Sequence, residues 1–305
     1  MREFPDQLPA GDRDFGGAAP LGGLAPLADA YDGFIIDQWG VLHDGTRAYP
    51  GAISCLTRLR AAGKRIVVLS NSGRRAAVGI QLMAEIGFDR ELYDRFVSAG
   101  EDARCALAAR AGAFHRKLGR RCYAFTRGGD RSLLEGMALD LVERVDDADF
   151  LAVIGIDSPQ RCLSDYEAEL QAGAARGLPM VCANPDLVRV APEGTVEAPG
   201  TLARRYEALG GEVFYHGKPH LPIYGSCLEA LGGCAPERVL AVGDSIEHDI
   251  LGAARARIRS AFITGGIHAA ELGVAWGELP ASAAWRRFAA NAVAHPDYIL
   301  PAFVW

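Results

Sequence analysis

FIIDQWGVLHDG, residues Phe34 to Gly45, is the stretch that decides how this 305-residue chain folds. Phe34, Ile35 and Ile36 form an unbroken apolar run, the pattern of a parallel strand buried on both faces. Asp37 ends that run, where the strand gives way to a loop. In open α/β sheets ligands gather outside the carboxyl ends of the strands, so a carboxylate here stands where chemistry is done. Gly40 and Gly45 let the backbone turn sharply and approach a ligand. A strand-end Asp also serves as a plain cap or turn former, so the rest of the chain must decide.

Outward from this stretch the same signature recurs. Tyr49-Pro50-Gly51 opens a helix with Ile53, Leu56 and Leu59 on one face, and Gly63 closes it. RIVVLS (65–70) is a second buried strand, ending in Ser70, Asn71 and Ser72. The next helix carries Val78, Leu82, Met83 and Ile86. After a short strand at Phe96-Val97, Ser98 and Glu101 form a capping box. From Gly112 the alternation restarts, with strands at 122–126, 150–155 and 180–184. It then returns to the first pattern with VFYHGKP (213–219), VLAVGD (239–244) and SAFITGG (260–266). These spacings predict an α/β protein: a Rossmann-like doubly wound parallel core over 20–111 and 211–305, with an inserted α/β cap over 112–210. Residues 1–19 read as a leader, loose or draped on the surface.

Bulk composition narrows the function. Half the residues are hydrophobic, as in an ordinary globular protein, and the formal net charge is −6. That charge argues against nucleic-acid or membrane partners. The seven cysteines show no CxxC pair and fall partly in apolar runs, so reduced thiols in a cytoplasmic protein are expected. The first 30 residues lack a basic segment leading into an apolar one, so no signal peptide is expected, and no stretch is long and apolar enough to span a membrane.

Polar groups cluster at strand ends and helix starts: Asp37, Ser70 with Asn71, Lys218, and Asp244 with Asp249. In a doubly wound sheet such ends lie along one edge. Asp37 and Asp244 supply hard oxygen ligands for Mg²⁺. Ser70, Lys218 and helix N-terminal amides suit a phosphoryl group. One Asp free to attack in line makes an aspartyl-phosphate, with catalysis resting on positioning and charge neutralisation.

IIDQWGVLHDG, VVLSNSGR, HGKPHLPIY and VGDSIEHDI occur in the order found in the haloacid dehalogenase superfamily. The chain resembles its class IIA branch, that of 4-nitrophenylphosphatase-like and pyridoxal-phosphatase-like enzymes, from Asp32 to the PDYIL near the end. The resemblance implies a Mg²⁺-dependent phosphohydrolase acting on a small phosphorylated metabolite, and a homodimer formed through the cap. It makes Asp37 nucleophile and metal ligand, Ser70 and Asn71 the groups orienting the phosphoryl, and Lys218 the charge screen. It gives Asp244 and Asp249 to the metal site, and Asn184 and Asp186 of ANPDLV to the substrate-facing cap loop.

One position departs from that pattern. Phosphatases of the superfamily carry a second Asp, the general acid and base, two residues after the nucleophile; this chain has Trp39 there. The metal ligand at that position is a backbone carbonyl, which Trp39 supplies; its indole N–H delivers no catalytic proton. Losing a general acid costs about 10² to 10⁴ in rate, or about 3 to 5 kcal/mol. His43 and Asp44 are the nearby candidates to replace it, although His43, like His216, His220 and His248, otherwise reads as a polar-loop or surface residue. The alternatives are a weak or inactive phosphate sensor that keeps the site, and a metal-free dehalogenase. Asp244 and Asp249 count against the latter, since displacing a halide needs no cation. No G-x-G-x-x-G follows the first strand, which disfavours dinucleotide binding.

Overall fold

The computed structural model describes residues 15–191 and 194–305. The chain forms two compact units, one holding the residues up to Ser70 with Ile80–Val97 and Lys218–Trp305, the other Asn71–Gly79 with Ser98–Gly217.

The first unit is built on a seven-stranded sheet in the order Ala19–Pro20, Tyr298–Leu300, Arg259–Ile263, Val239–Gly243, Gly33–Asp37, Arg65–Ser70, Arg95–Ser98. The five pairings from Ala19–Pro20 to Arg65–Ser70 are parallel. The central strands are buried on both faces, which is why they read as unbroken apolar runs. The helix Ala52–Ala61 buries Leu56 and Leu59, as the sequence predicts, together with Cys55, while Ile53 of the expected face is only partly buried. Of the stripe expected on Ala76–Glu85 only Met83 is buried; Val78 and Leu82 are exposed.

Part of the expected leader is structural. Residues 1–14 lie outside the described residues. Phe15, however, is buried against Trp285, whose indole N–H donates to the Phe15 carbonyl at 3.0 Å. Ala19–Pro20 then adds a parallel edge strand beside Tyr298–Ile299. Of the two expectations for the leader, loose or draped on the surface, residues 15–19 are not loose: their aromatic and backbone groups are used at the sheet edge.

The second unit has a five-stranded parallel sheet in the order Val213–Tyr215, Met180–Cys182, Phe150–Val153, Arg121–Phe125, Asp140–Leu141. Side chains alternate between its faces. Leu151 and Val153 pack with Leu170, Leu202 and Tyr206. Phe150 and Ala152 pack with Ala103 and Leu107 of the helix Ala99–Ala109. That helix therefore belongs to this unit, whose main segment begins at Ser98 and not at the expected 112. Ser98 Oγ accepts from the Glu101 N–H, but the Glu101 carboxylate accepts from Arg75 and the Ala76 N–H, so only half of the expected capping box exists. All seven cysteines are free, and burial pushes the Cys122 and Cys182 thiols up to about 12.

Candidate active site

In the first unit the strand order reverses between Gly33–Asp37 and Val239–Gly243. Strands that follow Asp37 directly lie to one side, and those from the last third of the chain lie to the other. Such a reversal opens a crevice at the carboxyl ends. Asp37 is the last residue of one of these strands, and Asp244 directly follows the other. Ser70, buried, ends the neighbouring strand Arg65–Ser70.

Lys218 and Asp249 complete a buried charge cluster. Lys218 Nζ lies 2.7 Å from Asp37 Oδ1 and 2.8 Å from Asp249 Oδ1. Asp244 Oδ2 accepts from the Ile267 N–H at 2.7 Å, and Asp249 Oδ2 from the Ser245 N–H at 3.1 Å. Asp37, Asp244 and Asp249 each place a carboxylate oxygen within 4.8 Å of the others. Asp249 sits on a wide π-type turn, Ile246–Ile250, where the N–H groups of Asp249 and Ile250 both donate to the Ser245 carbonyl. Widened turns of this kind recur at functional sites.

The electrostatics follow from burying three carboxylates with one ammonium. Burial pushes the Asp37 carboxyl up to about 7, with Lys218 opposing and Asp249 reinforcing the rise. Asp244 stands well above the carboxylate range, through burial and then repulsion from Asp37 and Asp249. Burial alone would discharge Lys218, but Asp249 and Asp37 reverse that and hold the ammonium well above its ordinary value. Three hard oxygen donors with excess negative charge fit a small divalent cation.

Glycines make room for these carboxylates. A β-carbon at Gly40, whose φ is +74°, would stand 1.8 Å from Asp244 Oδ2, and one at Gly266 would stand 2.2 Å from the same atom. At Gly243 it would meet Asp249 Cγ at 2.1 Å. The role of Gly266 went unread in the sequence; its signal was the pair of glycines after the strand Arg259–Ile263.

Trp39 is about half exposed, and its ring packs edge-on to His43 at 5.4 Å. Neither neighbouring candidate fits the missing acid. His43 is buried, not in a surface loop as expected; its Nδ1 accepts from the Gly45 N–H, and burial lowers it to about 4, so it is neutral near pH 7. Asp44 is spent on the turn, accepting from the Thr46 N–H and hydroxyl and from the backbone and side chain of Arg47. Those bonds hold its carboxyl well below the ordinary range.

The second unit brings together the remaining predicted residues. Asn71 Nδ2 donates to Asp186 Oδ1 at 2.7 Å, and the Asp186 N–H donates to Asn184 Oδ1 at 2.9 Å. Asp186 thus positions Asn71, the residue after Ser70.

A buried histidine pair was not legible beforehand. His216, expected at the surface, is 1% exposed; its Nδ1 lies 2.6 Å from Asp102 and its Nε2 lies 3.2 Å from Nε2 of His115. His115 Nδ1 faces the Ala111 carbonyl at 2.8 Å.

The chain is similar to known proteins along most of its length. Residues 34–140 match the sequence family described as haloacid dehalogenase-like hydrolase, and residues 215–300 match one described as HAD-hydrolase-like. The chain is 30% identical over 238 residues to Chronophin of Rattus norvegicus, covering 72% of each protein. A solved haloacid dehalogenase-like hydrolase from Brucella suis is 33% identical with a TM-score of 0.76, over 92% of this chain and 99% of that one. A glycerol phosphate phosphatase from Mycobacterium tuberculosis, solved with magnesium, shares the fold at 23% identity and a TM-score of 0.67, over 90% of this chain and 75% of that one.

Proposed function

The chain belongs to the haloacid dehalogenase-like hydrolases, and from that we propose that it is a Mg²⁺-dependent phosphohydrolase acting on a small phosphorylated metabolite through an aspartyl-phosphate. The observation that carries this reading is the buried cluster of Asp37, Lys218, Asp244 and Asp249 at the reversal of strand order.

Asp37 attacks phosphorus through a carboxylate oxygen, forming the acyl phosphate, while the bond to the leaving oxygen breaks on the opposite side. Lys218, fixed by Asp37 and Asp249, neutralises charge on the nucleophile and on the transferring phosphoryl group. Ser70 and Asn71 orient that group, with Asp186 holding the Asn71 amide. Asp37, Asp244 and Asp249, with the Trp39 carbonyl, would hold Mg²⁺, which would supply charge neutralisation there. Mutual repulsion of these buried carboxylates is the physical reason a cation belongs among them.

Trp39 sets the character of the reaction. With His43 and Asp44 both committed elsewhere, protonation of the leaving group and activation of water lack a dedicated side chain. This favours slow turnover, and its limit is the sensor that binds phosphate without releasing product. Release of nitrophenol from 4-nitrophenyl phosphate, tested with Mg²⁺, with chelator and in Asp37→Asn, separates the cases. The proposal requires release that depends on the metal and on Asp37; undiminished release in Asp37→Asn contradicts it.

A further inference from the structure

Two large apolar side chains of the first unit stand exposed beside its buried aspartate cluster. Trp39 is 52% exposed and Ile267 63%. Exposed apolar residues scattered singly need no explanation, but the backbones carrying these two converge on one atom. The glycines next to them, Gly40 and Gly266, both pack against Asp244 Oδ2, and the Ile267 N–H donates to that same oxygen at 2.7 Å. Trp39 is also two residues from Asp37. Its ring is fixed, edge-on to His43 at 5.4 Å and against Gly45. A fixed, half-exposed indole offers a flat apolar surface on which a planar partner can stack.

The polar groups beside Asp37 restrict what can leave the phosphorus. Lys218 Nζ is held by Asp37 and Asp249. His43 Nδ1 accepts from the Gly45 N–H, and Asp44 accepts from Thr46 and Arg47. Among the described residues of this loop, none is placed to hand a proton to a departing oxygen. A leaving group that suits the site is one whose oxygen departs as a stable anion.

We propose that Trp39 and Ile267 form an apolar wall for the leaving group, so that the substrate is the phosphate ester of a flat, apolar hydroxyl compound of phenol-like acidity. The inference rests on the phosphohydrolase reading and names its substrate class. The leaving group departs on the side away from Asp37, and Trp39 and Ile267 are exposed where the buried cluster meets solvent. The phosphorus–oxygen bond breaks, its electron pair stays on the departing oxygen, the ring delocalises the charge, and solvent supplies the proton. Trp39 thus stacks on a group that does not need the acid it replaces.

The test compares phenyl phosphate with hexafluoroisopropyl phosphate, whose alcohols are of closely similar acidity, so that only the flat ring differs in kind. Because kcat/KM reads binding and phosphoryl transfer, slow hydrolysis of the aspartyl-phosphate does not mask the comparison. The Mg²⁺-loaded wild type should favour the phenyl ester by about tenfold or more in kcat/KM, the range of aromatic pairing with its buried area. The ratio should collapse towards unity in the double variant Trp39→Ser, Ile267→Ser, which keeps the Trp39 carbonyl and the Ile267 N–H. Trp39→Phe, which keeps a flat ring, should retain part of it. Val293→Ser, at an equally exposed valine beyond the helix Ser282–Ala289, should leave it unchanged. No preference in the wild type, or one that survives the double variant, overturns the wall. Calorimetric binding of benzylphosphonate and propylphosphonate, which cannot be hydrolysed, gives a second readout. Tighter binding of benzylphosphonate that is lost in the double variant, without turnover of either ester, would leave the wall standing and remove the hydrolytic reading. Equal binding of the two phosphonates would remove the wall.

Discussion

The indole of Trp39 lies against Gly45 so closely that a β-carbon there would stand 2.1 Å from ring carbon Cη2. The ring thus rests on the turn that holds His43 and Asp44, the two groups that stood nearest to the missing acid. Trp39→Asp should raise steady-state turnover of alkyl phosphates by about tenfold or more, within the range of general acid–base catalysis. The half-exposed ring contributes little to the core, so the variant should fold. Fast wild-type turnover with no gain in the variant would mean that another residue already serves as acid.

The glycine cradle gives a prediction with an internal control. Gly40→Ala and Gly63→Ala both place a side chain at positive φ, each at a cost of about 1 to 2 kcal/mol. Only the first drives a methyl group into Asp244; around Gly63 there is open space. Calorimetric titration with Mg²⁺ should show affinity reduced about tenfold or more in Gly40→Ala and unchanged in Gly63→Ala. Equal affinities would remove Asp244 from the metal site.

Asp186 is expected to act through Asn71. Asp186→Ala removes one acceptor from the Asn71 amide and should lower kcat/KM about tenfold, the cost of losing one charge-assisted hydrogen bond at a phosphate-orienting group. Asp186→Asn, which keeps an acceptor oxygen, should recover part of that loss. Wild-type kinetics in Asp186→Ala would exclude this role.

The core fold could be read from the chain because its strands are apolar runs ending in polar residues, and two-sided burial requires that pattern. Asp37, Lys218, Asp244 and Asp249 were legible for a related reason: Asp37 ends an apolar strand, Asp244 directly follows one, and Lys218 and Asp249 lie in segments that lead from a strand into the next helix. Phe15 was not, because one aromatic in a Pro- and Gly-rich segment gives no periodicity, and its partner Trp285 is 270 residues away. The Asp102, His115 and His216 contacts were hidden likewise, since nothing local to any of them signals the others. Helix Ala99–Ala109 was given to the wrong unit because an amphipathic stripe shows that a helix is covered, not by which sheet.

The central claim is that Asp37 accepts a phosphoryl group although no acid stands two residues beyond it. Rapid-quench reaction of the Mg²⁺-loaded protein with 4-nitrophenyl phosphate, followed by mass analysis of the peptide containing Asp37, tests it most directly. An activated leaving group needs little protonation, whereas hydrolysis of the aspartyl-phosphate needs a base. The account predicts a burst of about one equivalent of nitrophenol per chain, one phosphoryl group on Asp37, and then slow turnover, all absent in Asp37→Asn. Linear product release without a burst and without phosphorylated Asp37, or no reaction at all despite bound Mg²⁺, would contradict it.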